Sequence, residues 1–369
     1  MERKHGPLFF IGAMPPPLHG MSNVNARMFA ALSRRDINIH LFDIARHRNN
    51  TTAAATTNSE RVIHHIFRFV SLMAFARGKK KTYLSLSGGF GQFRDLAFIV
   101  ISRVFRAKIY IHHHSFAYLN KRKAITLLCV WAAGPRSDHI VLCERMAVLL
   151  SKQYQTRPNR ISCLSNAAFL SSEERGMGRR QLRTVSFLSN ITFEKGISTF
   201  FEVAGELKAR KVPVRFMIAG PVALDVKGWL DLALAAAPEV QYVGPQYGLE
   251  KTRFFSQTDL LVFPSTYPNE AEPVTILEAF SFGVPVIATA LGCIPSLVSD
   301  ERGFVVPAQA RLPLTIAGLI QQLIEDEITY RRLSENCNTY FESNTSGHLS
   351  ALKRIVDSIE CGRDFEGKT

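Results

Sequence analysis

The sequence lacks the common glycine signatures of nucleotide binding. "GGFGQF" (88–93) misses the G-x-G-x-x-G spacing, and no G-x-x-x-x-G-K-[ST] occurs, which argues against a P-loop nucleoside triphosphatase. No D-x-D is present, so a familiar carboxylate pair for holding a divalent metal is missing; "EDE" (325–327) belongs to a solvated helical stretch. Six cysteines (Cys129, Cys143, Cys163, Cys293, Cys337, Cys361) stand without C-x-x-C or metal spacing and read as reduced, mostly packed thiols of a cytosolic protein. No apolar run approaches ~20 residues, so no transmembrane helix is expected. The apolar part of "MERKHGPLFFIG" is too short for a signal-peptide core. Acidic residues are scarce in the first half. Residues 1–184 hold 29 Lys and Arg against 9 Asp and Glu (net +20), whereas residues 185–369 hold 16 against 22 (net −6), giving the chain's +14. That asymmetry points to an anionic partner for the first half, either lipid head groups or nucleic acid.

What is present is an alternation of short β-rich runs with helical patterns, the mark of α/β architecture with parallel sheets. Strands are expected at 8–12, 37–44, 82–87, 108–113, 139–143 and 160–166, then at 184–190, 214–220, 240–245, 260–264, 284–289 and 303–307. The polar stretch "SSEERGMGRRQLR" (171–183) between the two sets reads as a linker, and "NNTTAAATTN" (49–58) as a mobile loop. The simplest organisation is two doubly wound domains, 1–172 and 184–345, with a helix over 346–369 able to return to the first.

Chemistry-bearing residues gather where strands end. In "STYPNEAEPVTILEAFSFGVPVIAT" (265–289), Pro273 places a helix start between Glu270 and Glu278, leaving Glu270 on a loop and Glu278 about one turn into the helix. Both then fall beyond the carboxyl end of the strand "DLLVF" (259–263), where open parallel sheets bind ligands. "FLSNITFEKGI" (187–197) sets Lys195 at another helix start, a position suited to an anion although a solvated lysine has the same local sequence. "GAMPPPLHGMSN" (12–23) offers a proline-stiffened loop with Gly20 beside a helix start. "IHHHSF" (111–116) ends a strand in three histidines, and alternation sends His112 and His114 to one side and His113 to the other. With no carboxylate or cysteine at ligand spacing, no metal site is assigned there.

Together these pieces resemble the family 4 retaining glycosyltransferases. The match is carried by Glu270 and Glu278 eight residues apart, by Pro264-Ser265, "LEAFSFGVPVIAT" and "GCIP" (292–295), and more weakly by "PPPLHG", "HHHSF", "SNAA" (165–168) and Lys195-Gly196. The resemblance implies the GT-B fold, two Rossmann-like domains facing a cleft, with the donor in the second domain and the acceptor mostly on the first. It implies a nucleotide diphosphate sugar as co-substrate, with no metal or other cofactor. Glu278 would hold the ribose hydroxyls and Glu270 the donor sugar, while the backbone N–H groups of Val274 and Thr275 reach the sugar or its diphosphate. Lys195 would neutralise the leaving group, His114 would support charge on the sugar ring, and Gly20 would let the first-domain loop approach. Three departures stand out. Ser189, followed by Asn190, replaces a usual arginine; Glu272 replaces an aromatic; Pro273 replaces a glycine and removes an N–H donor.

The resulting expectation is a metal-independent hexosyltransferase that moves a sugar to a hydroxyl of a lipid-linked or other saccharide acceptor in surface polysaccharide or glycolipid biosynthesis. It would be cytoplasmic and peripheral on the inner face of the plasma membrane. "ERVIHHIFRFVSLMAFARGKKK" (60–81) and "NKRKAITLLCVWAAGPR" (120–136) join apolar helical patterns to cationic clusters suited to an anionic surface. The alternatives are a non-hydrolysing epimerase of the same fold and a basic nucleic-acid-binding protein. Against the latter, no RNA-recognition or helix-turn-helix signature appears, so nucleic acid is not expected as a partner.

Overall fold

The computed structural model describes residues 6–16, 20–45, 58–170, 181–308 and 311–365. The 49–57 part of the expected loop, residues 171–180 of the expected linker and residues 17–19 of the proline-rich loop lie outside them. The chain divides into two compact units, one of residues 1–169 and 348–369, the other of residues 170–347.

Unit 1 runs β1 (Leu8–Gly12), α1 (Gly20–Ser33), β2 (Ile39–Asp43), α2 (Asn58–Phe75), β3 (Lys81–Leu86), α3 (Gly91–Val104), β4 (Lys108–His113), α4 (Ala117–Asn120), α5 (Ala124–Ala133), β5 (Asp138–Val141), α6 (Glu144–Tyr154) and β6 (Ile161–Cys163). Its parallel sheet has the order β2-β1-β3-β4-β5-β6, so the winding reverses between β1 and β3. Strands buried on both faces read as continuous apolar runs rather than alternating ones, and "LFFIG" of β1 is buried throughout. On one face α2 packs on α3 and α3 on α5.

Unit 2 runs β7 (Thr184–Leu188), α7 (Ile197–Ala209), β8 (Arg215–Ala219), α8 (Lys227–Ala236), β9 (Val240–Tyr242), α9 (Leu249–Gln257), β10 (Leu260–Phe263), α10 (Val274–Ser281), β11 (Val286–Thr289), α11 (Ile294–Leu297), β12 (Gly303–Val306), α12 (Leu312–Glu325) and α13 (Glu327–Cys361), the last continuing into unit 1. Its sheet order, β12-β11-β10-β7-β8-β9, is the doubly wound order whose switch point lies between its first and fourth strands, β7 and β10. Each of the twelve expected strands contains one observed strand or overlaps it closely, and both sheets are wholly parallel, as the fold expectation required.

The end of α13 and the residues after it are tied into unit 1. The Tyr110 hydroxyl donates to Ser358 O (3.1 Å) or Arg363 O (2.8 Å), and Arg35 pairs with Asp357 at 2.6 Å. Lys81, expected in the exposed cationic cluster, is instead the first residue of β3 and almost fully buried. Its ammonium donates to Glu360 O at 2.7 Å, because a strand start covered by the returning helix offers a carbonyl rather than water. Cys129, Cys163, Cys337 and Cys361 are free, and of these Cys129 and Cys337 are buried.

Candidate active site

In unit 2 the turn after β7 carries Ser189, Asn190 and Lys195. Gly196 shapes its end. At φ +88°, a Cβ on this residue would meet Pro264 O at 2.3 Å, so only glycine lets the turn lie against the end of β10. Thr266 N donates to Glu194 O at 2.8 Å and joins the two turns. Lys195 is thereby delivered to Glu270: Nζ donates to Oε2 at 2.5 Å and lies 4.5 Å from the centroid of the Tyr267 ring. Ser265 Oγ donates to the same carboxylate oxygen at 3.1 Å. Glu270 is 9% exposed, so its charge is held by an ammonium and a hydroxyl rather than by bulk water.

Gly292 is the second glycine that the backbone demands. Its φ is +54°, and a Cβ would meet Glu270 O at 2.4 Å and Ala271 O at 2.6 Å. Cys293 N donates to Ala271 O at 2.8 Å. The "GC" of the late motif is therefore the clamp that fixes the acidic loop.

Pro273 is extended and caps α10, so the helix begins at Val274, as the proline placement predicts. Val274 and Thr275 are half-buried in the first turn, where backbone N–H groups have no acceptor within the helix. Glu278 faces Lys251 of α9, whose Nζ donates to both carboxylate oxygens at 2.8 and 3.0 Å. Sequence reasoning missed Lys251. Within "LEKTRFF" (249–255) it reads as any solvated helical lysine, and only the fold sets α9 beside α10. Ser189 is half-buried with its N–H donated to Ala219 O at 3.2 Å, and Asn190 is exposed. The structure thus brings Lys195, Glu270 and Ser265 together and gives Glu278 a cation of its own.

In unit 1 the three histidines separate as alternation requires. His113, buried, joins a chain across the interior. His113 Nδ1 lies 2.9 Å from the Tyr118 hydroxyl, His113 Nε2 3.0 Å from His139 Nδ1, His139 Nε2 3.2 Å from Ser137 Oγ, and Ser137 Oγ donates to Gly134 O at 2.7 Å. Directed from Tyr118 toward Gly134, every link has one donor and one acceptor with both imidazoles neutral. Burial enforces that state, pushing His113 well below the usual histidine range and His139 down to about 3. On the other side the rings of His112 and His114 lie against each other, tilted, with centroids 3.9 Å apart. Burial pushes His114 down to about 3 and His112 well below the ordinary value, the neighbouring rings adding to it for His112. His114 is the half-buried member, just past β4. Gly20 is exposed at the first position of α1, and a Cβ there would touch nothing within 4 Å, so the fold does not itself require glycine.

Comparison with known proteins finds its family signal within unit 2. Residues 178–339 match the family model "Glycosyl transferases group 1". A D-inositol 3-phosphate glycosyltransferase of Corynebacterium efficiens is 25% identical over 242 residues, spanning 59% of this chain and only 56% of that protein. The Anabaena Alr3699/HepE structure in complex with UDP superposes with a TM-score of 0.72 at 14% identity, covering 95% of this chain and 100% of that one. The structure of WaaG, a glycosyltransferase involved in lipopolysaccharide biosynthesis, gives a TM-score of 0.66 at 14% identity over 95% of this chain and 99% of that one. The acid loop, the helix start and the two glycine clamps all lie inside residues 178–339, which are similar to the group 1 glycosyltransferases, and the chain as a whole has the GT-B fold.

Proposed function

We propose that the protein is a retaining, metal-independent glycosyltransferase that moves a sugar from a nucleotide diphosphate to a hydroxyl of a lipid-linked saccharide at an anionic membrane surface. The observation that carries the reading is the Lys195–Glu270 contact at the switch point of unit 2. An ammonium held by a carboxylate before the donor arrives can exchange it for the diphosphate, freeing Glu270 to accept hydrogen bonds from the donor sugar. Bond breaking then leaves positive charge on the ring and negative charge on the departing phosphate. Lys195 and the N–H groups of Val274 and Thr275 oppose the second charge, aided by the partial positive charge of the α10 terminus. Glu270 and neutral His114 face the first. Glu278 takes the ribose hydroxyls, with Lys251 beside it. Ser189 and Asn190 lend hydrogen bonds near the phosphates, and Gly20 admits the unit 1 loop. UDP in the HepE complex makes a uridine donor the first to try.

The membrane part of the reading rests on the outer layer of unit 1. Phe67 (72% exposed) and Phe75 of α2, Phe90 and Phe93 at the start of α3, Val104 at its end and Trp131 of α5 (78%) are all turned to solvent. Arg68, Arg77, Lys79, Arg103, Arg106, Lys121, Arg122, Lys123 and Arg136 are exposed around them. Asp95, fully buried, is the only acidic residue between Arg61 and Ser137. Apolar side chains among cations, with no exposed carboxylate from Arg61 to Ser137, suit a surface that is both anionic and oily. Among the described residues no helix is long and apolar enough to cross a membrane.

Incubation with UDP-, GDP- and ADP-sugars should give slow hydrolysis of one donor with release of the sugar in its original anomeric configuration; inversion, or no hydrolysis of any donor, refutes the reaction. Co-sedimentation with phosphatidylglycerol vesicles should be lost at high salt and in Lys79→Ser/Lys80→Ser. Failure to sediment at low salt would leave a soluble acceptor.

A further inference from the structure

Tyr83, His112 and His114 lie on one side of the unit 1 sheet, with His114 just past the end of β4. β3 and β4 pair in parallel register with Ser85 opposite His112, so Tyr83, two residues earlier, projects from the same side of the sheet as His112. The Tyr83 hydroxyl lies 2.6 Å from His112 Nδ1. Tyr83 is fully buried, stacked on Phe10 at 4.5 Å, and burial raises its hydroxyl well above the ordinary phenol range, so it keeps its proton. The His112 ring in turn lies against that of His114, with centroids 3.9 Å apart and the ring planes tilted by 42°. His112 Nε2 and His114 Nε2 are both buried without a hydrogen-bond partner among the described residues. Two adjacent imidazoles that each keep one ring nitrogen in reserve are costly for a core to maintain.

We propose that Tyr83 and His112 are positioning residues for His114. Tyr83 donates its proton to His112 Nδ1, which fixes His112 as the Nε2–H tautomer, and the fixed ring holds the His114 imidazole at the angle at which it serves the sugar. No proton is transferred; the device sets orientation and tautomer. The role given to His114 rests on the glycosyltransfer reading, whereas the tautomer and the ring coupling do not. The two parts can therefore fail separately.

The structural arm uses the full-length protein labelled with ¹⁵N-histidine, without substrate. Long-range proton–nitrogen correlation should show His112 Nδ1 unprotonated and Nε2 protonated, and Tyr83→Phe should change the ring signals of both His112 and His114. An Nδ1-protonated His112, or His114 signals unmoved in Tyr83→Phe, overturns the proposal whatever the enzyme's activity.

The kinetic arm uses the donor that wild-type protein turns over. Tyr83→Phe should lower kcat roughly 3–10-fold, the worth of one hydrogen bond, with KM for the donor unchanged. His112→Phe keeps a ring in the stack and should do the same. If Tyr83 acts through His112, the double variant is no worse than either single one. Losses that multiply in the double variant, or a fall in rate matched by an equal loss of folded protein in thermal unfolding, would show a merely structural role.

Discussion

Units 1 and 2 share a doubly wound parallel sheet and place opposite chemistry at its carboxyl end. In unit 2 the strand ends carry ion pairs, Lys195 with Glu270 and Lys251 with Glu278. In unit 1 the end of β4 carries uncharged imidazoles backed by tyrosine hydroxyls. All eleven histidines lie in unit 1 and none in unit 2. Net charge runs the other way. The half with a net of −6 (16 basic against 22 acidic residues) holds the candidate anion site, while among the described residues the basic side chains of the first half are spread over helices, loops and strand starts. On the proposed reading, where a diphosphate binds would be decided by two or three oriented groups at a switch point. The overall charge balance speaks to the surface that the whole protein approaches.

The contrast is broken most strongly by removing the central cation of unit 2. Lys195→Ala deletes the group set against the leaving diphosphate and leaves Glu270 buried beside a hydroxyl only. The expected fall in kcat is on the order of 10²–10³, measured by donor hydrolysis at saturating donor. Glu270→Gln should also lose turnover while keeping donor affinity. Unchanged rates in both variants would remove the ion pair from the chemistry.

A smaller effect is expected at the second pair, and it should appear in binding. Glu278→Gln loses charge-assisted bonds to the ribose, each worth roughly 1.5–3 kcal/mol, or about ten- to 150-fold in donor affinity. Lys251→Met should weaken donor binding less, since it only releases a carboxylate that the ribose still uses. Calorimetric titration with the nucleoside diphosphate separates the two. Equal losses would show that Lys251 itself touches the nucleotide.

Acid should act on one unit alone. His112, His113, His114 and His139 are all held below the ordinary histidine value by burial. In the unfolded chain they bind protons below about pH 6.5 while in the fold they do not, so stability falls as pH drops through that value. The loss is about 1.4 kcal/mol per pH unit for each histidine kept neutral. Hydrogen exchange at pH 7 and pH 5.5, corrected for the intrinsic rates, should show protection lost in β4 and β5 and retained in β7 and β10. Equal loss in both sheets would erase the distinction.

How much of this was legible beforehand follows from how local each feature is. The strands were legible because buried parallel strands are apolar runs broken by turn residues, and "KIYIHH" shows both its start and its end. The Glu270–Gly292 block was legible because Pro273 and Gly292 punctuate the chain and force a loop, a helix start and a turn. The inward turn of Lys81, the cation on Glu278 and the Tyr83–His112 contact were not legible. Each joins elements distant in sequence, and a lysine or tyrosine there looks like any other on a strand or helix. Gly20, conspicuous after three prolines, turned out to have open space around it, since a glycine beside a helix start is as often incidental as required.

The smallest effect expected is none. A metal-assisted transferase lets an ion bridge protein carboxylates and the diphosphate, so chelation abolishes its activity. Here the two strand-end carboxylates of unit 2 each already face an ammonium, and a divalent ion entering between them would have to displace a lysine before it met the donor. On the proposed reading, Lys195 with the α10 terminus would supply the neutralisation instead. Initial rates should therefore be the same in excess chelator and in added Mg²⁺ or Mn²⁺, and Lys195→Ala should not be rescued by either ion. Activity lost to chelator and restored by Mg²⁺ would move the charge of the leaving group onto a metal. The Lys195–Glu270 pair would then become a structural tie between two turns, and the contrast between the units would rest on the histidines alone.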